Sequence, residues 1–151
     1  MKKLYLFFSF ACLLALAYAC TEESCEQETE VMMQAGFYES GSGNSLTVDS
    51  LSIYGLYMPD SLIYSNAKLG EAGLPLNPSA PYCSFIIITG SRHDTIEILY
   101  EPELMFLSRA CGYTYTYTLK EVLFTNNNIS NILIVNEQVN PGNEENIQIF
   151  F

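Results

Sequence analysis

The sequence predicts an all-β domain, built as a sandwich of two antiparallel sheets. Three observations predict it. Short apolar runs alternate at period two rather than 3.6. Turn-forming Gly, Pro, Asn, Asp and Ser clusters separate these runs at roughly regular spacing. The clearest segment, Gly112 to Leu119 (GYTYTYTL), is made of β-favouring residues in strict alternation.

The elements follow in chain order. Val31 to Tyr38 is a mixed apolar run closed by the turn-like ESGSGNS. Leu46 to Leu56 alternates, Pro59–Asp60 marks a turn, and Ser61 to Tyr64 forms a short strand. Gly70 to Pro81 holds two glycines and three prolines, so it reads as an irregular loop. Phe85 to Thr89 is continuously apolar, as a strand buried on both faces should be. Gly90 to His93 make a turn, and Thr95 to Glu101 alternates with Ile96, Ile98 and Tyr100 on one face. Leu104 to Leu107 is a short apolar piece. Glu121 to Phe124 either extends the GYTYTYTL strand or starts another. Asn126–Asn128 is a turn, and Ile129 to Val135 and Ile147 to Phe151 close the chain across the loop NEQVNPGNEEN. This pattern of about eight short strands is that of an immunoglobulin-like sandwich over residues 31–151. A small outer-membrane barrel fits less well, since its strands need about 9–11 alternating residues each.

Residues 1–30 carry a different message. Lys2 and Lys3 precede an apolar stretch from Leu4 to Leu16, and Ala17–Tyr18–Ala19 leads to Cys20. A charged start, a short apolar run and small residues form a secretory signal, here residues 1–19. The segment LALAYAC resembles the lipobox of bacterial lipoproteins. That resemblance implies diacylglyceryl attachment to the Cys20 thiol, cleavage before it, and a membrane anchor. The usual aliphatic residue three places before the cysteine is Ala17 here, and Ala17–Tyr18–Ala19 also fits ordinary cleavage, which would leave Cys20 a thiol. Residues 20–30 are acidic and lack periodicity, so they read as a solvated tether. An acidic cluster after the cysteine resembles the surface-export signal of Bacteroides-type lipoproteins. Expected localisation is therefore exported and outer-membrane-anchored, on the periplasmic or cell-surface face.

Removing residues 1–19 leaves 132 of 151 residues, a length suited to one domain. Four cations (Lys68, Arg92, Arg109, Lys120) then stand against seventeen carboxylates, a net charge of −13. Such a surface repels phosphate backbones, so nucleic acid is not an expected partner. The chain has five cysteines. Cys12 leaves with the signal and an acylated Cys20 cannot pair, so Cys25, Cys83 and Cys111 remain in an oxidising compartment. The pairing expected is Cys25 with Cys111, pinning tether to body, with Cys83 a buried free thiol. With Cys20 unmodified, two bridges become possible.

Several segments together resemble a family of small, uncharacterised Bacteroides-type lipoproteins: Cys25 shortly after the lipobox, DSLSIYGL (Asp49–Leu56), DSLIY (Asp60–Tyr64), LPLNP (Leu74–Pro78), DTIEILYE (Asp94–Glu101) and ACGYTYTY (Ala110–Tyr117). The resemblance implies export, a β-sandwich and the Cys25–Cys111 pairing, and it brings no activity.

Catalytic chemistry is sparse. The one histidine, His93, sits in a turn, and no G-x-S-x-G elbow is present. One histidine and scattered thiols do not make a zinc set, and no calcium loop or phosphate-cradling glycine loop appears. No catalytic residue, metal or cofactor is expected. Two patterns remain as candidates. Tyr113, Tyr115 and Tyr117 share a strand face, either as an aromatic platform for a glycan or envelope protein or, as residue preference favours, lining the core while Thr114, Thr116 and Thr118 meet solvent. Each of the three aspartates precedes Ser or Thr and an aliphatic residue, which resembles the O-glycosylation signal of Bacteroides-type bacteria at Ser50, Ser61 and Thr95; the alternative is ordinary strand-start chemistry. The function expected is a non-catalytic, lipid-anchored envelope protein that binds an envelope component or external ligand. The alternatives are an assembly accessory docking by a sheet edge, or a carboxylate-dependent hydrolase.

Overall fold

The computed structural model describes residues 24–57, 60 and 62–151. The signal segment, Cys20 and Ser61 lie outside the described residues. Ten strands follow one another: β1 (Met32–Tyr38), β2 (Val48–Gly55), β3 (Leu62–Leu69), β4 (Glu71–Pro75), β5 (Tyr82–Thr89), β6 (Arg92–Ser108), β7 (Gly112–Phe124), β8 (Asn131–Ile134), β9 (Gln138–Val139) and β10 (Glu145–Phe150). They form two sheets, a four-stranded one ordered β4-β1-β10-β8 and a six-stranded one ordered β3-β2-β5-β6-β7-β9. Every pairing is antiparallel except β1 with β10. The expected antiparallel sandwich is thus present, with ten strands rather than about eight.

Alternation puts the core between the sheets. Met33, Ala35 and Phe37 of β1, Leu74 of β4, and Ile147 and Ile149 of β10 face Leu51 and Ile53 of β2, Phe85 and Ile87 of β5, and Ile96, Ile98 and Tyr100 of β6. These side chains are buried, and their removal from water supplies the main driving force for the fold.

Three local expectations are corrected. Glu71–Pro75, read as loop, is strand β4. It lies at the sheet edge, pairing only with β1, so Pro75 at its end costs no needed ladder bond. The pieces Thr95–Glu101 and Leu104–Leu107 are one 17-residue strand, β6, running through Pro102. β5 pairs with β6 only as far as Tyr82↔Leu99, and the Tyr100 N–H bonds the Pro81 carbonyl at 2.9 Å. Two residues on, the side of the strand where Pro102 lacks an N–H has no further partner strand, so proline is tolerated there. The turn after β5 is tighter than expected: Thr89 pairs with Arg92 across Gly90–Ser91, and Gly90 takes φ 61° at the first central position of a two-residue hairpin.

β6 and β7 make the longest hairpin of the molecule. Tyr100 pairs with Leu119 but Leu99 with Glu121, so Lys120 is an extra residue in β7. This bulge switches the inward-facing set of β7 from Tyr117 and Leu119 to Val122 and Phe124. The hairpin closes through Arg109, Ala110 and Cys111, and Gly112 at φ 73° provides the left-handed closing residue of a three-residue connection.

Candidate functional site

The inward face of the β6–β7 hairpin changes character along its length. Near the base, Tyr100 and Tyr117 are buried, their rings edge-to-face with centroids 5.3 Å apart. The Tyr100 hydroxyl donates to the Asn77 carbonyl and accepts from the Asn77 N–H, each at 2.9 Å, and the Tyr117 hydroxyl donates to the Leu76 carbonyl at 3.1 Å. Both tyrosines thereby satisfy their polar ends while tying down the loop after β4.

Beyond this layer the hairpin extends past the buried core. Leu104 pairs directly with Tyr115 and Phe106 with Tyr113, so period-two alternation keeps all four on the face that carries Tyr100 and Tyr117. They are exposed: Leu104 56%, Phe106 54%, Tyr113 65% and Tyr115 40%. Phe106 and Tyr113 stack edge-to-face at 5.1 Å. The carboxylates of the same stretch, Glu101 and Glu103, pair with Thr118 and Thr116 and so occupy the opposite face. The result is an uncharged aromatic patch on a strongly acidic domain.

The opposite face is partly occupied by the chain's own N-terminal segment. Thr114 is buried, and its hydroxyl donates to the Thr29 carbonyl at 2.7 Å. A crevice of about 480 Å³ between this segment, the hairpin and the loop after β9 is lined by Gln27, Glu28, Met105, Phe106 and Pro141 among others, so it reaches one edge of the aromatic patch. Cys25 and Cys111 form a disulfide that ties the segment to the hairpin turn, closing a separation of 86 residues. The sequence-based preference, with all three tyrosines inward and the threonines in solvent, therefore holds for Tyr117 and is corrected for Tyr113, Tyr115 and Thr114. Leu104 and Phe106, half of the exposed patch, were not expected there. Their signal was the alternation of Pro102, Leu104 and Phe106 opposite GYTYTY, which a proline-based break in the strand concealed.

The Asp–Ser/Thr–aliphatic triplets separate by environment. Asp49 and Ser50 lie in an exposed bulge of β2, with Ser50 at φ 56° and Asp49 paired to Lys68 at 2.9 Å. Thr95 is a half-buried residue inside β6, and its neighbour Asp94 is 2% exposed. The Asp94 carboxylate accepts the Thr125 hydroxyl (2.8 Å) and the backbone N–H groups of Asn127 (2.7 Å), Asn128 (2.8 Å) and Ile129 (3.0 Å). Burial alone would raise its pKa, but these four donors outweigh it and hold the carboxyl below its usual range. Asp94 is thus the fastener of the loop between β7 and β8.

A second cleft, of about 400 Å³, is lined by Leu56, Ile63, Tyr82, Cys83 and Phe85 among others. Cys83 is the free cysteine among the described residues. Burial pushes its thiol up to about 11, with the neighbouring Tyr100 hydroxyl offsetting part of the rise. A thiol so poised is protonated at neutral pH and is a poor nucleophile. His93 is exposed beside the β5–β6 turn, and among the described residues no three His, Cys, Asp or Glu side chains gather as metal ligands.

Fold and bridge together define a disulfide-pinned antiparallel β-sandwich with an overhanging aromatic hairpin. The chain belongs to a family of unknown function, DUF6452, which matches residues 50–151, from the β2 bulge to the last residue. No curated protein and no solved structure matches it.

Proposed function

We propose that this chain is an exported, lipid-anchored envelope protein of Bacteroides type that acts by binding an envelope component rather than by catalysis. The observation that carries the binding reading is the uncharged patch of Leu104, Phe106, Tyr113 and Tyr115. Exposed aromatic side chains grouped on one rigid ribbon are a costly use of surface unless something covers them. Export is supported by the charged and apolar residues 2–16 and by the Cys25–Cys111 bridge, a bond that persists in oxidising compartments. Anchoring rests on Cys20 and its lipobox-like surroundings.

Metabolic labelling with a fatty-acid analogue tests the anchor. Label is expected on the wild type and not on Cys20→Ala; label that persists in the variant, or that never enters the wild type, contradicts it. Of Ser50 and Thr95, the two candidate acceptors among the described residues, Ser50 has the exposed setting that O-glycosylation requires, and an intact mass without added hexose would refute modification there.

A further inference from the structure

The aromatic face has an attachment point beside it. Cys111 lies in the turn that closes the hairpin, and the bridge brings its Cα to 4.8 Å from that of Cys25. From Cys20 to Cys25 there are five peptide steps, at most about 18 Å of extended chain. Without the bridge the tether runs on to Val31 and could reach about 40 Å. The bridge therefore holds the hairpin turn closer to an acyl chain on Cys20 than the rest of the tether would. The described part of the N-terminal segment lies against the threonine face, through the Thr29–Thr114 bond; of the aromatic face, Phe106 borders the crevice that Gln27 and Glu28 line, and Leu104, Tyr113 and Tyr115 stay exposed.

The chemistry of that face suits a bilayer. Phe106 and Tyr113 form the aromatic pair next to the turn, and Leu104 and Tyr115 follow about 7 Å further along the strands. That span matches the roughly 5–10 Å to which amphipathic elements enter the boundary between headgroups and acyl chains. Tyrosine is favoured at that level because its ring is apolar and its hydroxyl is wet. The carboxylates Glu101 and Glu103 are on the opposite face, and Arg109 in the turn is exposed and offers a guanidinium to phosphate.

We infer that the aromatic face of the β6–β7 hairpin rests on the bilayer that carries the anchor, with Leu104, Phe106, Tyr113 and Tyr115 at headgroup depth. This names the partner of the binding face proposed above, and it rests on acylation of Cys20. The Cys25–Cys111 bridge turns a long tether into a fixed seat. Five glutamates in residues 21–30 disfavour an anionic surface, so the seat is for a zwitterionic one.

The chain contains no tryptophan, so a single indole is a clean reporter. Full-length acylated protein carrying Phe106→Trp or Tyr115→Trp is reconstituted into phosphatidylcholine–phosphatidylethanolamine vesicles with brominated acyl chains. Leu133→Trp, exposed on β8 of the other sheet, is the control. Quenching at 106 and 115 is expected to exceed that at 133 by at least about twofold, and to fall when Cys25→Ser and Cys111→Ser are added. Flotation with the vesicles reads the anchor separately. Protein that floats with no excess quenching at 106 and 115 overturns the seating while the anchor stands. Protein that does not float overturns both. A blue shift at 106 caused instead by added envelope protein or glycan, with no quenching by the lipid, assigns the face to another occupant and also overturns the seating.

Discussion

The two halves of the β6–β7 ribbon share one alternation and meet opposite surroundings. At its base Tyr100 and Tyr117 are covered by the second sheet and the loop after β4, and each hydroxyl has a backbone partner. At its tip Phe106 and Tyr113 continue the same face but stay more than half exposed, Phe106 bordering the crevice lined by Gln27 and Glu28. Inward parity alone does not bury a side chain; an opposing layer must reach it. β6 and β7 run for 17 and 13 residues, whereas the strands of the four-stranded sheet have only four to seven, so the ribbon outruns the opposing layer. The base should respond to substitution in stability, and the tip in binding.

The largest stability effect is expected at the link between the two regions. Removing the bridge with Cys25→Ser/Cys111→Ser releases a separation of 86 residues, worth up to about 4.6 kcal/mol in the chain-entropy model. Urea unfolding with and without reductant measures it. A loss close to zero would mean that the tether contributes nothing to the folded body, and the tip would be an independent appendage.

Asp94→Ala should follow closely, at about 3 kcal/mol, because it removes a buried carboxylate that accepts from the N–H groups of Asn127, Asn128 and the buried Ile129. The same carboxylate sets an acid limit. Its folded pKa lies below the unfolded value, so its contribution is fully present above the unfolded pKa of about 3.9 and is lost as pH falls through the folded one. Stability curves from pH 7 to 2 should therefore be flatter for Asp94→Asn than for the wild type in the acid range. Equal slopes would remove Asp94 from the account of acid sensitivity.

Tyr117→Phe keeps the ring in the core and deletes the bond to Leu76, so a loss of about 1 kcal/mol is expected, leaving one carbonyl unpaired. A much larger loss would mean that the hydroxyl organises the whole loop after β4.

The sequence made the base legible and hid the tip. Period-two runs identified Ile96, Ile98 and Tyr100 as one face, and the turn residues separated most strands. Pro102 hid the continuity of β6, because a proline inside a strand is harmless only where the neighbouring strand has already ended, which is a tertiary fact. Edge position likewise hid β4 behind Gly73 and Pro75. The threonines of GYTYTYTL looked solvent-facing by preference, yet Thr114 is covered by a segment 85 residues away in sequence. The Cys25–Cys111 pair was readable as an expectation. Leu104 and Phe106 became partners of Tyr115 and Tyr113 only through the register shift at Leu107, the extra residue between the Ser108–Gly112 and Phe106–Tyr113 pairs.

The most direct measurement of whether the tip is a binding surface rather than part of the core is the unfolding free energy of Phe106→Ser/Tyr113→Ser. Two large aromatics removed from a core cost about 3–5 kcal/mol each, whereas exposed positions usually change stability by less than about 0.5 kcal/mol. The expected result is a loss below about 1 kcal/mol for the pair, allowing for their edge-to-face contact. A loss of several kcal/mol would contradict it and make the aromatic tip a structural element of the sandwich.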